Sequence, residues 1–207
     1  MKTVFAEDST LYRFGSWLAN LFILNTLWAL FSLPIFTIGA STTAAFYVGQ
    51  HWARGKEPPI WEKFWTSFRQ NFMQATLIWF FFGGVGFMLL VNIQALFTSG
   101  SAGTILSTLQ IVAFCELALG AVYAFSLLAR FHMKTGDCLR SSFLMIHRHL
   151  QTSVSILALL IVLLWLAFRW PSLILLAIAL FVWGVSFLQI KVFARYEHDS
   201  IDWALPQ

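Results

Sequence analysis

The chain has 207 residues, of which 59% are hydrophobic and only 11% are charged, with a formal net charge of +4. Soluble domains carry about a quarter charged residues because their outer faces must be polar, so this composition excludes an ordinary soluble fold. The positive charge is interpreted as loop charge that orients a membrane protein, with no nucleic-acid partner. We predict an all-α polytopic transmembrane helical bundle that forms a single integral membrane domain over residues 1–207.

The first predicted elements lie in a stretch of 40 residues, between Arg13 and Arg54, that contains no charged side chain. As one helix it would extend about 60 Å, twice the hydrocarbon thickness of a bilayer. Pro34 divides the stretch almost evenly, which predicts two membrane segments, roughly Phe14–Leu33 and Thr37–Trp52. The second is rich in small residues and threonine, so it either crosses the membrane or is re-entrant.

The next element, Ile60–Phe72, has helical periodicity with an aromatic face and a polar face. This pattern predicts an amphipathic helix at the membrane interface. Aromatic side chains with arginine are also typical of protein interfaces, so a partner surface is predicted in addition to membrane anchoring. The predicted surface consists of Trp61, Phe64, Trp65, Phe68 and Arg69.

A second uncharged stretch, Gln70–Cys115, is again too long for one span, and a cluster of small and polar residues at 98–104 interrupts it. We therefore predict that one helix ends near Phe97 and that the next covers Ile105–Leu128.

The last part of the chain begins with a second amphipathic element at Asp137–Gln151. Two more uncharged stretches follow, at 149–168 and 170–190, and Arg169 lies in the turn between them. The total is six membrane segments, the second of them possibly re-entrant, with two interfacial amphipathic helices.

The distribution of lysine and arginine predicts the orientation of the bundle. If all six segments cross, twelve of the thirteen basic residues fall on one side and Arg169 alone falls on the other. Both termini are then predicted to be cytoplasmic, in a multi-pass protein of the cell membrane. If the second segment does not cross, only the N-terminal tail changes side.

Glu116 is the one acidic residue inside a predicted span, and it should lie near mid-depth. A carboxylate there is costly, so it must be protonated, paired or facing a polar cavity. Two interpretations are open: a proton or substrate site, and a structural hydrogen bond between helices. The candidate partners are Asn20, Asn25, Asn92, Gln94, Gln110, Tyr123 and Gln189. The predicted intramembrane polar site comprises Glu116 with Asn20, Asn25 and Asn92.

Catalytic and metal-binding signatures are not apparent in the sequence. It contains no nucleophile elbow, phosphate-binding loop or paired-carboxylate motif. His132, His147 and His149, even with Cys138, do not follow a zinc spacing. We predict that the protein is not an enzyme and has no metal and no cofactor.

Several motifs in the first third of the chain resemble the YesL-like family of bacterial membrane proteins, which is built around a domain of unknown function. They are Asn20-Leu21, Leu24-Asn25, Trp28 to Pro34, Thr37 to Thr42, Ala44-Ala45, Arg54-Gly55-Lys56, Phe64, Ser67-Phe68-Arg69, Asn71-Phe72 and Gln74 to Leu77. Such proteins are often encoded beside carbohydrate importers of the ATP-binding cassette (ABC) type. The resemblance therefore implies an accessory or regulatory subunit of oligosaccharide uptake that contacts the importer's permease subunits. The alternative is a small self-sufficient transporter or channel with its polar site around Glu116.

Overall fold

The computed structural model describes residues 10–56, 59–97 and 100–202, and within these ranges all regular structure is helical. The predicted all-α class is therefore confirmed. Two short 3-10 turns, Ile35–Thr37 and Pro171–Leu173, precede α2 and α7. The helices are α1 (Thr10–Phe31), α2 (Ile38–Ala53), α3 (Ile60–Phe97), α4 (Gly100–Leu128), α5 (Thr135–Arg148), α6 (Leu150–Arg169) and α7 (Ile174–Asp202).

Five helices in the described part of the chain are long and apolar enough to cross a membrane. The spans are Tyr12–Phe31, Ile60–Asn92, Ile105–Leu128, Leu150–Arg169 and Leu176–Tyr196. The second predicted segment is not one of them. It forms α2, which has 16 residues and is therefore about 24 Å long, shorter than a hydrocarbon core of about 30 Å. Neither six crossings nor a re-entrant segment is confirmed.

The α2 helix is surrounded by α1, α3, α4 and α7. Its small residues permit close approach: a Cβ at Gly39 would meet the Ala75 carbonyl and Trp79 Cβ at 2.8 Å, and one at Gly49 would meet Val182 Cγ1 at 2.7 Å. Because α2 contacts protein rather than lipid, it can be small and only mildly apolar. Trp28 ties it to α1 by donating a hydrogen bond to Thr42 at 3.1 Å.

The α3 helix is continuous from Ile60 to Phe97 and has 38 residues, so the predicted amphipathic helix at Ile60–Phe72 is its first third. Phe31, the last residue of α1, packs its ring against this first third. The contact orients α3 so that part of its aromatic face is turned inward.

The second amphipathic element, predicted at Asp137–Gln151, corresponds to α5 at Thr135–Arg148. The chain breaks at His149, whose φ of −124° and ψ of 54° are not helical, and α6 follows. The α5 helix packs on α4, with Phe143 against Gly120 and the Cys138 thiol donating to the Ala124 carbonyl at 3.4 Å.

The predicted turn at 98–104 is shorter in the structure, because α4 already begins at Gly100. Residues 98 and 99 lie outside the described residues, as does the N-terminal tail before Thr10.

Candidate functional site

The structure places Glu116 on the outside of the bundle instead of in its interior. The carboxylate is about half exposed, and its Oε1 lies 3.5 Å from Nε2 of His147 on α5. This pairing arises because Gly120, one turn away on α4, leaves room for the Phe143 ring, and that contact brings α5 alongside Glu116. Glu116 therefore has a partner, which is one of the predicted alternatives, but His147 was not among the predicted candidates.

The three asparagines of the predicted polar site have separate surroundings. Asn25 is buried on α1 and accepts a hydrogen bond from the Ala179 N–H of α7 at 3.3 Å. Asn20 is half-buried in a crevice beside Trp17. Asn92 is exposed near the end of α3. The predicted site of Glu116 with these residues is thus not assembled.

The predicted partner surface is divided by the packing of α3. Phe64 and Phe68 are buried, at 0% and 8% exposure, with ring centroids 5.6 and 5.1 Å from Phe31. These two residues were wrongly predicted to face a partner. Of the remaining three, Trp61 and Arg69 are exposed and Trp65 is partly buried; together they form what we call the Trp61 stripe.

The Trp61 stripe is an ordered surface. Its two indoles are stacked, with centroids 6.0 Å apart and an interplanar angle of 3°. The Arg69 guanidinium lies 5.8 Å from the Trp65 ring, within the range of a cation–π interaction. A cavity of about 370 Å³ borders Trp65 and Arg69. A flat aromatic pair with a flanking arginine is well suited to contact another protein.

A buried polar cluster joins α2, α4 and α7. Gln50 donates from Nε2 to the Ser126 carbonyl at 2.8 Å and to Ser126 Oγ at 3.1 Å. The Ser126 hydroxyl in turn donates to Gln189 Oε1. Gln189 Nε2 and Ser186 Oγ are buried, and neither has a hydrogen-bond partner among the described residues. Buried polar groups without partners are costly. The two atoms are therefore candidates to bind water or a polar solute.

Gln50 also lines a cavity of about 260 Å³ next to this cluster. Its walls come from the end of α2, from α3 and from the residues after α4, and they are rich in amide, imidazole and guanidinium groups. The lining residues are Tyr47, Gln50, His51, Arg54, Gln70, Asn71, Leu128, Ala129, Arg130, Phe131 and His132. The Gln74 amide holds the wall from α3 to the loop after α4 by donating to the Met133 carbonyl at 2.7 Å.

His51 has a defined protonation state in this cavity. Burial lowers the pKa of His51 below its ordinary value, and the positive charges of Arg54, Lys63 and Lys56 lower it further, against the raising effect of its hydrogen bond to the Tyr47 carbonyl. The imidazole is therefore neutral at pH 7. Since a carbonyl only accepts, Nδ1 of His51 carries the proton and donates to the Tyr47 oxygen 2.8 Å away, which leaves Nε2 of the neutral ring with an acceptor lone pair.

The cluster and cavity can bind a polar solute or water through hydrogen bonds. Among the described residues, no group of three or more His, Cys, Asp or Glu side chains is arranged to hold a metal ion. Sequence reasoning named Gln189 as a candidate, but it missed Gln50, Ser126 and Ser186. The sequence does show an amide side chain in each of two apolar segments, Gln50 and Gln189. It does not show that these segments pack against each other.

Together these helices define the class of the chain, a multi-pass α-helical membrane protein. Residues 21–93 match the family described as "Protein of unknown function, DUF624". The match includes α2, Gln50 and the Trp61 stripe, and it ends before Ser126 and Gln189.

Two relatives come from Bacillus subtilis (strain 168). The chain is 26% identical to the uncharacterized protein YteU over 167 residues, 78% of this chain and 75% of the relative. It is 29% identical to the uncharacterized protein YesL over 82 residues, 38% of this chain and 39% of the relative. No solved structure matches the chain. The resemblance to YesL-like proteins is confirmed by these similarities.

Proposed function

We propose that the protein is a non-catalytic accessory subunit of an ABC-type carbohydrate importer in the cell membrane. The observation that carries the proposal is the outward-facing Trp61 stripe, a rigid aromatic surface with a flanking arginine. The carbohydrate part of the proposal depends on what the resemblance to YesL-like proteins implies. The partner is a permease subunit of the importer.

The energetics of the stripe favour protein contact. Trp61 is 51% exposed, and its indole is held against Trp65, so little side-chain entropy is lost when a partner covers it. Tryptophan and arginine are among the residues enriched at interface hot spots, and truncating a hot-spot residue weakens binding by about 2 kcal/mol or more. Membrane anchoring alone requires indoles at the interface but no defined stacking between them.

The charge pattern supports a cytoplasmic location for the stripe. Arg54, Lys56 and Lys63 lie in the same part of the sequence as the stripe, which itself includes Arg69, and basic residues are concentrated on the cytoplasmic side of membrane proteins. Arg13 at the start of α1 and Lys56 after α2 line the same crevice, which supports a common side for the start of α1 and this loop.

The test is co-purification of importer subunits from native membranes with Trp61→Ser/Trp65→Ser. We expect the double variant to insert normally, to lose at least 90% of the captured importer subunits and to reduce oligosaccharide uptake in cells. The matched control is Trp170→Ser, because Trp170 is 50% exposed and also carries an arginine, Arg169, at 5.5 Å. Unchanged capture in the double variant would leave anchoring as the only role of the stripe.

A small self-sufficient transporter is the second candidate, and the cluster of Gln50, Ser126 and Gln189 is the observation that favours it. The polar site of such a transporter would be this cluster, since Glu116 faces outward. Purified protein in liposomes distinguishes the candidates. A transporter moves labelled oligosaccharide without other proteins and loses that activity in Gln189→Leu, whereas an accessory subunit moves none.

A further inference from the structure

A second cavity, of about 360 Å³, opens between α1, the end of α2 and α7, and we call it the Trp17 crevice. Two cations, Arg13 and Lys56, lie at the start of α1 and in the loop after α2. The rings of Trp17, Trp52, Trp183 and Phe187 also line it, together with Asn20 and Gly55. The crevice is therefore amphipathic, with cationic groups from the helix start and the loop and aromatic rings from the helices.

The aromatic wall is an interlocked set of rings. Trp17 meets Trp183 edge-on with centroids 5.6 Å apart, and Trp183 packs on Phe187 at 4.8 Å. Phe187 is 45% exposed, so the wall continues onto the outer surface of α7. Both α1 and α7 are among the membrane-spanning helices, and the outer surface next to this wall is accordingly a lipid-contacting surface.

The cations give the crevice a preference for an anion. Arg13 is the second residue of the first span, and the end of a span is where lipid headgroups and their phosphates are found. Basic pockets between transmembrane helices are suited to acidic headgroups, and indoles favour the same interfacial depth. An uncharged sugar would also stack on indoles, but it gains little from two cations. A free phosphate would pair with the cations but leave the aromatic wall uncovered.

We propose that the Trp17 crevice binds one anionic phospholipid, with its phosphate between Arg13 and Lys56 and its glycerol and first acyl carbons against Trp17, Trp183 and Phe187. The site does not share residues with the Trp61 stripe or with the cluster of Gln50, Ser126 and Gln189. The lipid proposal therefore holds whichever of the two proposed functions is correct. The bound lipid would fill the seam between α1 and α7 and stabilise their contact.

The experiment is native mass spectrometry of the full chain released from micelles that contain phosphatidylglycerol, phosphatidylcholine or neither, with inorganic phosphate or a neutral oligosaccharide added as competitor. We expect one tightly retained phosphatidylglycerol, weaker retention of phosphatidylcholine and no competition by either solute. Arg13→Gln/Lys56→Gln should weaken phosphatidylglycerol binding by roughly 30-fold, as expected for two cations at an anionic headgroup.

Two further variants keep the test decisive. Lys134→Gln/Arg169→Gln removes two exposed cations elsewhere and should leave the retained lipid unchanged. Arg13→Lys/Lys56→Arg keeps both charges and should retain the lipid even if the glutamine variant folds poorly. Equal retention of both phospholipids, displacement by inorganic phosphate or by the oligosaccharide, or loss of the lipid in the charge-conserving variant would each overturn the proposal.

Discussion

Gly39 of α2 lies directly against the main-chain carbonyl of Ala75 in α3, and a Cβ at Gly39 would also come within 2.8 Å of Trp79 Cβ. The neighbouring atoms belong to the backbone and to a Cβ, so they cannot move aside as the end of a flexible side chain would. This contact allows α2 to occupy the centre of the bundle, where it meets four other helices.

We predict that Gly39→Ala destabilises the protein by about 1–3 kcal/mol, the usual range for overpacking a well-packed interior. Gly84→Ala is the matched control, because it also lies in a helix but a Cβ there has no heavy atom within 4 Å. It should be neutral or slightly stabilising, since alanine favours a helix over glycine. Thermal unfolding in detergent measures both variants. Equal melting temperatures would contradict the close contact.

The second prediction concerns the thiol of Cys138, which is fully buried and donates to the Ala124 carbonyl. Burial raises the pKa of Cys138 to about 11, so only roughly 1 thiol in 3,000 is ionised at pH 7.5. With Cys115→Ala, we expect N-ethylmaleimide to modify Cys138 at least 100-fold more slowly in the folded protein than after unfolding in dodecyl sulfate.

The control for this labelling is Gly136→Cys in a background without Cys115 and Cys138. Position 136 lies on the same helix, but it is exposed, and a Cβ there meets nothing within 4 Å. It should react at the rate of a free thiol. If Cys138 reacts equally fast, α5 does not pack on α4 as described.

The pH dependence of stability provides a third prediction. Burial lowers the pKa of His149 below its ordinary value, and Arg148 and Arg195 lower it further. The unfolded chain therefore binds more protons at this residue than the folded chain, and stability rises with pH through the interval just below pH 6.5. The melting temperature of the wild type should fall as the pH is lowered from 7.5 to 5.5.

His149→Gln should reduce that fall while keeping a partner for the Tyr196 hydroxyl, which lies 3.0 Å from His149 Nε2. His51, whose pKa is lowered by burial as well, contributes in the same direction, so the double variant should show a smaller fall. His132→Gln, at an exposed position, serves as the control. If His149→Gln lost more stability on acidification than the wild type, protonation of His149 would not be what destabilises the fold.

A fourth prediction follows from the exposed pair of Glu116 and His147. Ion pairs that are this exposed contribute about 0–1 kcal/mol to the free energy of unfolding. A double-mutant cycle with Glu116→Gln and His147→Gln should therefore give a coupling energy within that range. Glu116→Gln should fold and support sugar uptake almost normally. A stable glutamine variant without uptake would restore the interpretation of Glu116 as a proton or substrate site.

Much of the helix layout could be predicted from the sequence. Charged residues and prolines are costly inside a membrane helix, so they mark where helices end. The end of α4 at Leu128 was predicted on this basis, and the end of α3 at Phe97 was predicted from the small and polar residues at 98–104. The amphipathic pattern after Asp137 likewise predicted α5, because a helical period is a local property of the chain.

The inner and outer faces of the helices were harder to predict. In a membrane protein, hydropathy does not distinguish contact with lipid from contact with protein. Phe64 and Phe68 are therefore indistinguishable in sequence from Trp61 and Trp65. Phe31 contacts all four rings, yet the two phenylalanines are buried, whereas Trp65 is partly buried and Trp61 is exposed. The bounds of α2, predicted as Thr37–Trp52, agree with the observed Ile38–Ala53 to within one residue.

The polar groups depend on contacts between distant segments. Gln50 and Ser126 are 76 residues apart, and Ser126 and Gln189 are 63 apart. The partners of Glu116 were expected on the membrane helices, because a carboxylate near mid-depth must be neutralised or paired. Its partner is instead on α5, which reaches Glu116 only because Gly120 leaves space for Phe143.

The most direct test of the proposed accessory role is photo-crosslinking in native membranes with a photoreactive amino acid at position 61, compared with the same residue at position 170. Both positions carry a half-exposed tryptophan; Arg169 contacts the Trp170 ring directly, and Arg69 contacts Trp65, on which Trp61 stacks. We predict an adduct with a permease subunit of a carbohydrate importer from position 61 and none from position 170, identified by mass spectrometry. Lipid adducts alone from position 61, or the same protein adduct from both positions, would contradict the proposal.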